Sequence, residues 1–199
     1  MPLKPQQKFL KRMLDIILAL IGLILSILFL LPLLIIASVD TKSFGLIAQT
    51  RIGRYGKPFK LLKFKTMRDT KQPQNYITTI NDPRITKFGR LLRKTKLDEL
   101  PQLWNVLKGD MSFVGPRPDV PGYADQLQGK DRIILSVRPG ITGPASLAYK
   151  DEEEILAQKQ NPKQFNDEVI WPEKVRINKA YIEKYSFSKD INYILKTIF

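Results

Sequence analysis

Residues 16–39 read IILALIGLILSILFLLPLLIIASV, 24 consecutive positions without a charge. At about 1.5 Å of rise per helical residue, such a run is long enough to cross a bilayer core of roughly 30 Å. It reads as a membrane segment. A cleaved secretory signal has a shorter apolar region and an Ala-x-Ala-like end, which this run lacks. The flanks carry like charge. Lys4, Lys8, Lys11 and Arg12 precede the segment, and Lys42, Arg51, Arg54, Lys57, Lys60, Lys63 and Lys65 follow it, so both ends look cytoplasmic under the positive-inside rule. Pro32 reconciles them if it breaks the helix into a long and a short limb that enter and leave on one face. A single span with a tolerated proline kink is the competing topology. Asp15, three and four positions after Arg12 and Lys11, fits either an ion-pair network at the headgroups or an ordinary solvated helix end.

The 199 residues suffice for one domain plus this anchor, divided as 1–40 and 41–199. Lys and Arg number 33 against 19 Asp and Glu, a formal charge of +14, which points to phosphates, polyanions or an anionic membrane surface as partners. With neither Cys nor His, the chain has no disulfides, no Cys-rich zinc site, no thiol nucleophile and no imidazole base. Acid–base work falls to Asp, Glu, Lys or Tyr, and a metal held by oxygen ligands would be a hard cation such as magnesium.

Residues 40–68, with Gly45, Gly53, Gly56 and Pro58, read as turns and one or two short strands, and the polar stretch 70–81 as a mobile loop. Asp82 and Pro83 form a helix start, followed by Ile85, Phe88, Leu91 and Leu92 on one side and Arg84, Lys87, Arg90, Arg93, Lys94 and Lys96 on the others. This helix either lies in the headgroup layer or exposes a solvated face. Leu97, Leu100, Leu103, Trp104 and Leu107 continue at helical spacing to a stop at Gly109, and Pro101 requires that helix to begin near Asp98. Asp98 and Glu99 then sit at a helix start, where carboxylates cap the helix and where its N–H groups suit a phosphate. Met111-Ser112-Phe113-Val114 reads as a strand running into Gly115-Pro116-Arg117-Pro118, a rigid turn presenting Arg117 either to a phosphate or to a salt-bridge partner. A second turn, Arg138-Pro139-Gly140-Ile141-Thr142-Gly143-Pro144, has glycines that admit close backbone approach to a ligand. Helices are expected over 151–160 and 172–185, and an amphipathic one at the end carries Phe187, Ile191, Ile194, Leu195 and Ile198.

Taken in order, these motifs resemble the small monotopic phosphoglycosyl transferases, the bacterial sugar transferase family. The resemblance rests on Lys11-Arg12 and Asp15, Gln49-x-Arg51-x-Gly53, Lys63-Phe64-Lys65-Thr66-Met67 and Asp82-Pro83-Arg84-Ile85-Thr86. It continues through Leu97-Asp98-Glu99-Leu100-Pro101-Gln102-Leu103, Asn105 to Ser112, Gly115-Pro116-Arg117-Pro118 and Arg138-Pro139-Gly140-Ile141-Thr142-Gly143. It implies transfer of a sugar 1-phosphate from a UDP-sugar to polyprenyl (undecaprenyl) phosphate, releasing UMP, as the first membrane step of glycan assembly. Asp98 would be the nucleophile of a phosphoaspartyl-sugar intermediate, and Glu99 its base or metal-site partner. Asp98 and Glu99 would hold Mg2+, while Arg117 and Arg93, with Lys63 and Lys65 as weaker candidates, would neutralise phosphate charge.

The implied fold is α-rich α+β: a membrane re-entrant helix broken at Pro32, interfacial amphipathic helices, and a small globular cytoplasmic domain with short β-strands. The implied location is the cytoplasmic face of the bacterial inner membrane, with membrane lipid as a partner, no nucleic acid, and room for a homodimer. The chain departs from the family where Leu31, rather than Ser, precedes Pro32, and where Pro144-Ala145-Ser146 replaces Trp-Ala-Gln. The rival to this reading is a membrane-tethered basic module that binds anionic lipid or nucleic acid without catalysis.

Overall fold

The computed structural model describes residues 3–69 and 82–199; the loop expected over 70–81 lies outside the described residues. Helix α1 runs from Pro5 to Thr41 and is the one helix among the described residues long and apolar enough to cross a membrane. Its burial is inverted. Lys11, Asp15, Ala19, Ser26, Ala37 and Thr41 are buried, whereas Ile24, Leu25, Leu28 and Phe29 are each more than 60% exposed. Small and polar residues therefore make the protein contacts, and the large apolar ones point away, the pattern of a helix whose outer solvent is hydrocarbon. Pro32 does not divide this helix as expected. It removes one N–H, but the bonds on either side continue the helix for nine residues to Thr41.

The N-terminal half of α1 is tied to distant parts of the chain by its polar residues. The Lys11 ammonium donates to Asp190 at 2.6 Å, and Asp15 accepts from the Ser112 hydroxyl and the Phe113 amide, each at 2.9 Å. The C-terminal end meets the same globular body: Ser38 Oγ accepts from the Gly45 amide at 2.8 Å, and Arg68 contacts the Asp40 carbonyl.

Strands β1 (Leu46–Ile52) and β2 (Pro58–Phe64) form an antiparallel hairpin with Ile47 opposite Lys63, Gln49 opposite Leu61 and Arg51 opposite Phe59. Helix α2 spans Lys87–Thr95 rather than starting at Asp82. The Asp82 carboxylate is taken by the amide and guanidinium of Arg84, and Ile85 bridges to Met67, so α2 starts later, with Thr86 capping the free N–H of Gly89 in its first turn at 2.9 Å. A Cβ on Gly89 would collide with the Thr66 carbonyl, so this glycine lets α2 lie against the chain that follows β2.

Helix α3 (Gln102–Lys108) ends, as expected, at Gly109 with φ 97°. Arg12 of α1 donates to its last carbonyls, those of Val106 and Leu107, at 2.6 and 2.8 Å, a cation on the negative helix end. Asn105 joins α3 to β2 by accepting from the Leu62 amide and donating to the Lys60 carbonyl, as another strand would.

Strand β3 (Ser112–Val114) pairs in parallel with β4 (Gly140–Thr142). Here the glycines of the two turn motifs approach each other rather than a ligand: a Cβ on Gly140 would strike Gly115, and so would one on Gly143. Helices α4 (Pro144–Ala148), α5 (Glu152–Ala157), α6 (Pro162–Phe165), α7 (Trp171–Glu183) and α8 (Phe187–Ile198) complete the chain. The main core gathers Ile52, Val114, Ile134, Val137, Val175 and Ile182 beneath α7 and α8. A second core packs Ala19 of α1 on Leu61, Val106 and Met111. Together they give the α-rich arrangement with two small sheets.

Candidate active site

Asp98 and Glu99 stand on a single 3-10 turn, Leu97–Glu99, between α2 and α3. The turn is set by Lys96, which closes α2 in the left-handed conformation at φ 58° with its amide on the Arg93 and Leu92 carbonyls. The helix expected to begin near Asp98 starts at Gln102, just after Pro101, and a separate 3-10 turn carries Asp98, which caps nothing. Its side chain instead turns inward, only 4% exposed. Oδ2 lies 3.8 Å from the Lys63 ammonium, and buried Oδ1 has no hydrogen-bond partner among the described residues. Capping is therefore not what this carboxylate does, since a cap would have spent that oxygen on a backbone N–H.

Burial drives the Asp98 pKa upward, with Lys63 pulling it back and neighbouring Glu99 pushing it further up. Glu99 is buried too, but there Arg117 wins. Its guanidinium donates to Oε1 at 2.7 Å, and together with Lys96 and Lys63 it holds the carboxyl below its ordinary value. Adjacent acids are thus pushed apart, one toward the neutral form and one firmly ionised. Lys63 in turn has its pKa lowered by burial, against the opposing pull of Asp98.

Three of the four expected phosphate-binding cations converge on this turn. Lys63 reaches it from the inward face of β2, and Arg117, half exposed, from the turn after β3. That turn is pinned from behind by the Gly140 amide on the Pro116 carbonyl at 2.8 Å. Arg93, on α2, is close enough to lower the Asp98 pKa, but its guanidinium is already paired with Glu153 of α5. Lys65 is the exception. It lies just beyond the end of β2, and its ammonium bonds Asp69 and Ser43, at 2.6 and 2.7 Å, instead of facing Asp98.

The expected metal pair fits a hard cation. Two carboxylates lie side by side, one with an oxygen that is buried and unpartnered, and magnesium ordinarily takes one or two protein carboxylates with water and phosphate filling the rest. No group of three or more acids that would enclose a metal occurs among the described residues.

Asp119 is a site neighbour that its sequence gave no reason to choose. Burial pushes its carboxyl up to about 7 although Lys174, Arg51 and Arg117 pull the other way. A pocket lined by Ile52, Gly53, Arg117, Asp119, Leu135 and Pro139 adjoins it.

Residues 6–199 match the sequence profile of a family described as bacterial sugar transferase. The chain is 41% identical over 121 residues to a putative undecaprenyl-phosphate N-acetylgalactosaminyl 1-phosphate transferase of Bacillus subtilis, covering 60% of this chain and 68% of that one. It is 36% identical over its whole length to the UDP-glucose:undecaprenyl-phosphate glucose-1-phosphate transferase of Escherichia coli, of which the match covers 41%. It is also 30% identical to the UDP-N-acetylgalactosamine-undecaprenyl-phosphate N-acetylgalactosaminephosphotransferase of Aeromonas hydrophila, over 98% of this chain and 44% of that one. The chain thus spans less than half the length of the last two relatives.

Proposed function

This chain belongs to the bacterial sugar transferase family, and on that footing we propose that it transfers a sugar 1-phosphate from a UDP-sugar to undecaprenyl phosphate. The observation that carries the mechanism is the state of Asp98: a buried carboxylate with one free oxygen, beside a Lys63 cation and an ionised Glu99–Arg117 pair. Asp98 attacks the phosphorus that bears the sugar, and the bond from that phosphorus to the bridging oxygen breaks, so UMP leaves with the electron pair. An oxygen of the lipid phosphate then attacks the same phosphorus and returns Asp98 as a carboxylate. One difficult displacement becomes two easier ones.

Lys63 and Arg117 neutralise charge on the phosphate oxygens, and Glu99 keeps Arg117 aimed. Arg93 joins them once its pairing with Glu153 opens. Asp98 and Glu99 would hold Mg2+, which when bound supplies further neutralisation of phosphate charge.

The location supports this chemistry. Helix α1 sheathes itself in exposed apolar residues, and Leu91, Leu97 and Trp104 leave an exposed apolar edge on α2, the catalytic turn and α3. We place the site at the cytoplasmic face of the inner membrane, with that edge in the headgroup layer and α1 re-entrant only by a bend at Pro32 within its unbroken helix, a reading supported by Lys11 bonding Asp190 and by the Asp40 carbonyl meeting Arg68. The lipid phosphate then arrives at the depth of Asp98.

Asp98→Asn keeps the shape but removes the nucleophile. UMP release should fall by at least ~10³-fold while membrane association and thermal midpoint stay as in the wild type. Wild-type enzyme given labelled UDP-sugar without lipid should carry label on Asp98. Unchanged turnover in the variant would overturn the nucleophile assignment, and absence of label would favour a one-step transfer.

A further inference from the structure

Facing residues of an antiparallel pair share a face, so Arg51 and Gln49 of β1 point to the same side of the hairpin as Lys63 of β2. The other side is marked by Lys60 donating to Thr50 at its exposed surface. Arg51 is therefore on the catalytic side, and the proposed reaction has so far left it without a part.

Its guanidinium is under-used. Nη2 donates to Gln49 Oε1 at 3.0 Å and Nη1 makes a long bond, 3.4 Å, to the carbonyl of Pro118, the residue after Arg117. Nε is buried and has no partner among the described residues, nor does any carboxylate among them lie within ion-pair distance of Arg51. A buried guanidinium with an unspent donor is costly, and a second guanidinium beside it adds repulsion. Burial and the charge of Arg117 both lower the Arg51 pKa, with Asp119 and Glu99 offsetting them through space. Two neighbouring cations, one of them with no carboxylate in direct contact and a buried Nε unspent, make a seat for an anion.

We infer that Arg51 is a further phosphate-binding residue, which with Arg117 receives the nucleotide phosphate that departs when Asp98 takes the sugar-bearing phosphorus. The inference rests on the transferase reading above. When the bridging bond breaks, its electron pair stays on the nucleotide oxygen, so negative charge grows on the departing nucleoside monophosphate. The planar fork of an arginine matches two oxygens of that phosphate at once. The order along the site is then Lys63 and Asp98 at the reacting phosphorus, Arg117 between, and Arg51 at the phosphate that leaves.

The test uses the full chain in detergent or nanodiscs, with UMP and uridine as probes in calorimetric titrations. Arg51→Met should lose at least ~10-fold in UMP affinity, keep its affinity for uridine, and melt at the wild-type temperature. Arg51→Lys should recover only part of the loss, because it restores charge without the fork. UMP binding within twofold of wild type in Arg51→Met overturns the inference, as does an equal loss of uridine binding, which would mark a structural role. If the methionine variant does not fold, Arg51→Lys is decisive in the same way: full UMP affinity overturns. Failure of the transferase reading has a different signature, a wild type that binds no UMP at all.

Discussion

Burial raises the pKa of both Asp119 and Asp98, but the proposed reaction gives a task to Asp98 alone. Burial holds the Asp119 carboxyl at about 7, against 3.8 for an unburied aspartate. Between those values the folded chain keeps a proton that the unfolded chain has released, so stability falls as pH rises through that window. Asp119→Asn has no proton to lose. The variant should melt about 3 °C above the wild type at pH 8 and level with it at pH 4, as followed by thermal scans in detergent. A difference that is the same at both pH values would show that Asp119 is ionised throughout. Part of the candidate site's membership was legible in the sequence: the Asp98-Glu99 pair, Arg117 between its prolines and Lys63 all meet. Lys65 misled because alternation places it on the side of Lys63, whereas β2 ends at Phe64 and the next amide turns to the Gly45 carbonyl. The side of the hairpin that Arg51 occupies is not legible in the sequence, since it depends on a strand register that only the hairpin pairing reveals.

At the scale of elements, the bond between the first helix and the last is the most exposed to testing. Asp190 of α8 is fully buried, accepts from Lys11 of α1, and also takes the hydroxyls of Tyr181 and Tyr185 at 2.7 and 3.2 Å. Removing only the cation leaves a buried charge, which costs about 3–5 kcal/mol. Lys11→Met should therefore lower Tm by about 10 °C, and the double variant with Asp190→Asn should regain at least half of that. Equal melting of the single and double variants would mean that Asp190 does not carry a charge there. Helices were readable where apolar periodicity and a glycine stop agreed, as at α3 and Gly109. The start of α2 was not, because Asp82 resembles a cap until one sees its carboxylate occupied by Arg84. The glycines of the turn from Arg138 to Pro144 were legible as sites of close approach, but not what they approach, since the β3–β4 pairing joins segments 28 positions apart.

For the whole molecule, the decisive quantity is which side of the membrane each end of α1 occupies. The chain contains no cysteine, so Lys4→Cys and Lys42→Cys each introduce a single label. With α1 re-entrant, an impermeant maleimide reaches both positions from the cytoplasmic side of inverted vesicles and neither from the periplasmic side. Labelling from opposite sides would establish a span. Sequence alone left this balanced, because charge on both flanks argued one way and the length of the apolar run the other. The packing of the amino-terminal half of α1 comes from Lys11 on Asp190 and Asp15 on Ser112, pairs far apart in the chain that no local pattern encodes, whereas its other end bonds Gly45 close by.

The Lys11–Asp190 bond joins positions 179 residues apart. At ribosomal speeds of about 5–20 residues per second, α1 emerges roughly ten to forty seconds before its partner exists. During that interval the newborn helix is already apolar enough to leave water, and the Lys11 ammonium has Asp15, one turn further along the same helix, as its neighbouring acid. The bond that ties the amino-terminal half of α1 to α8 can therefore form only after almost everything between them has been made, so it closes the structure late.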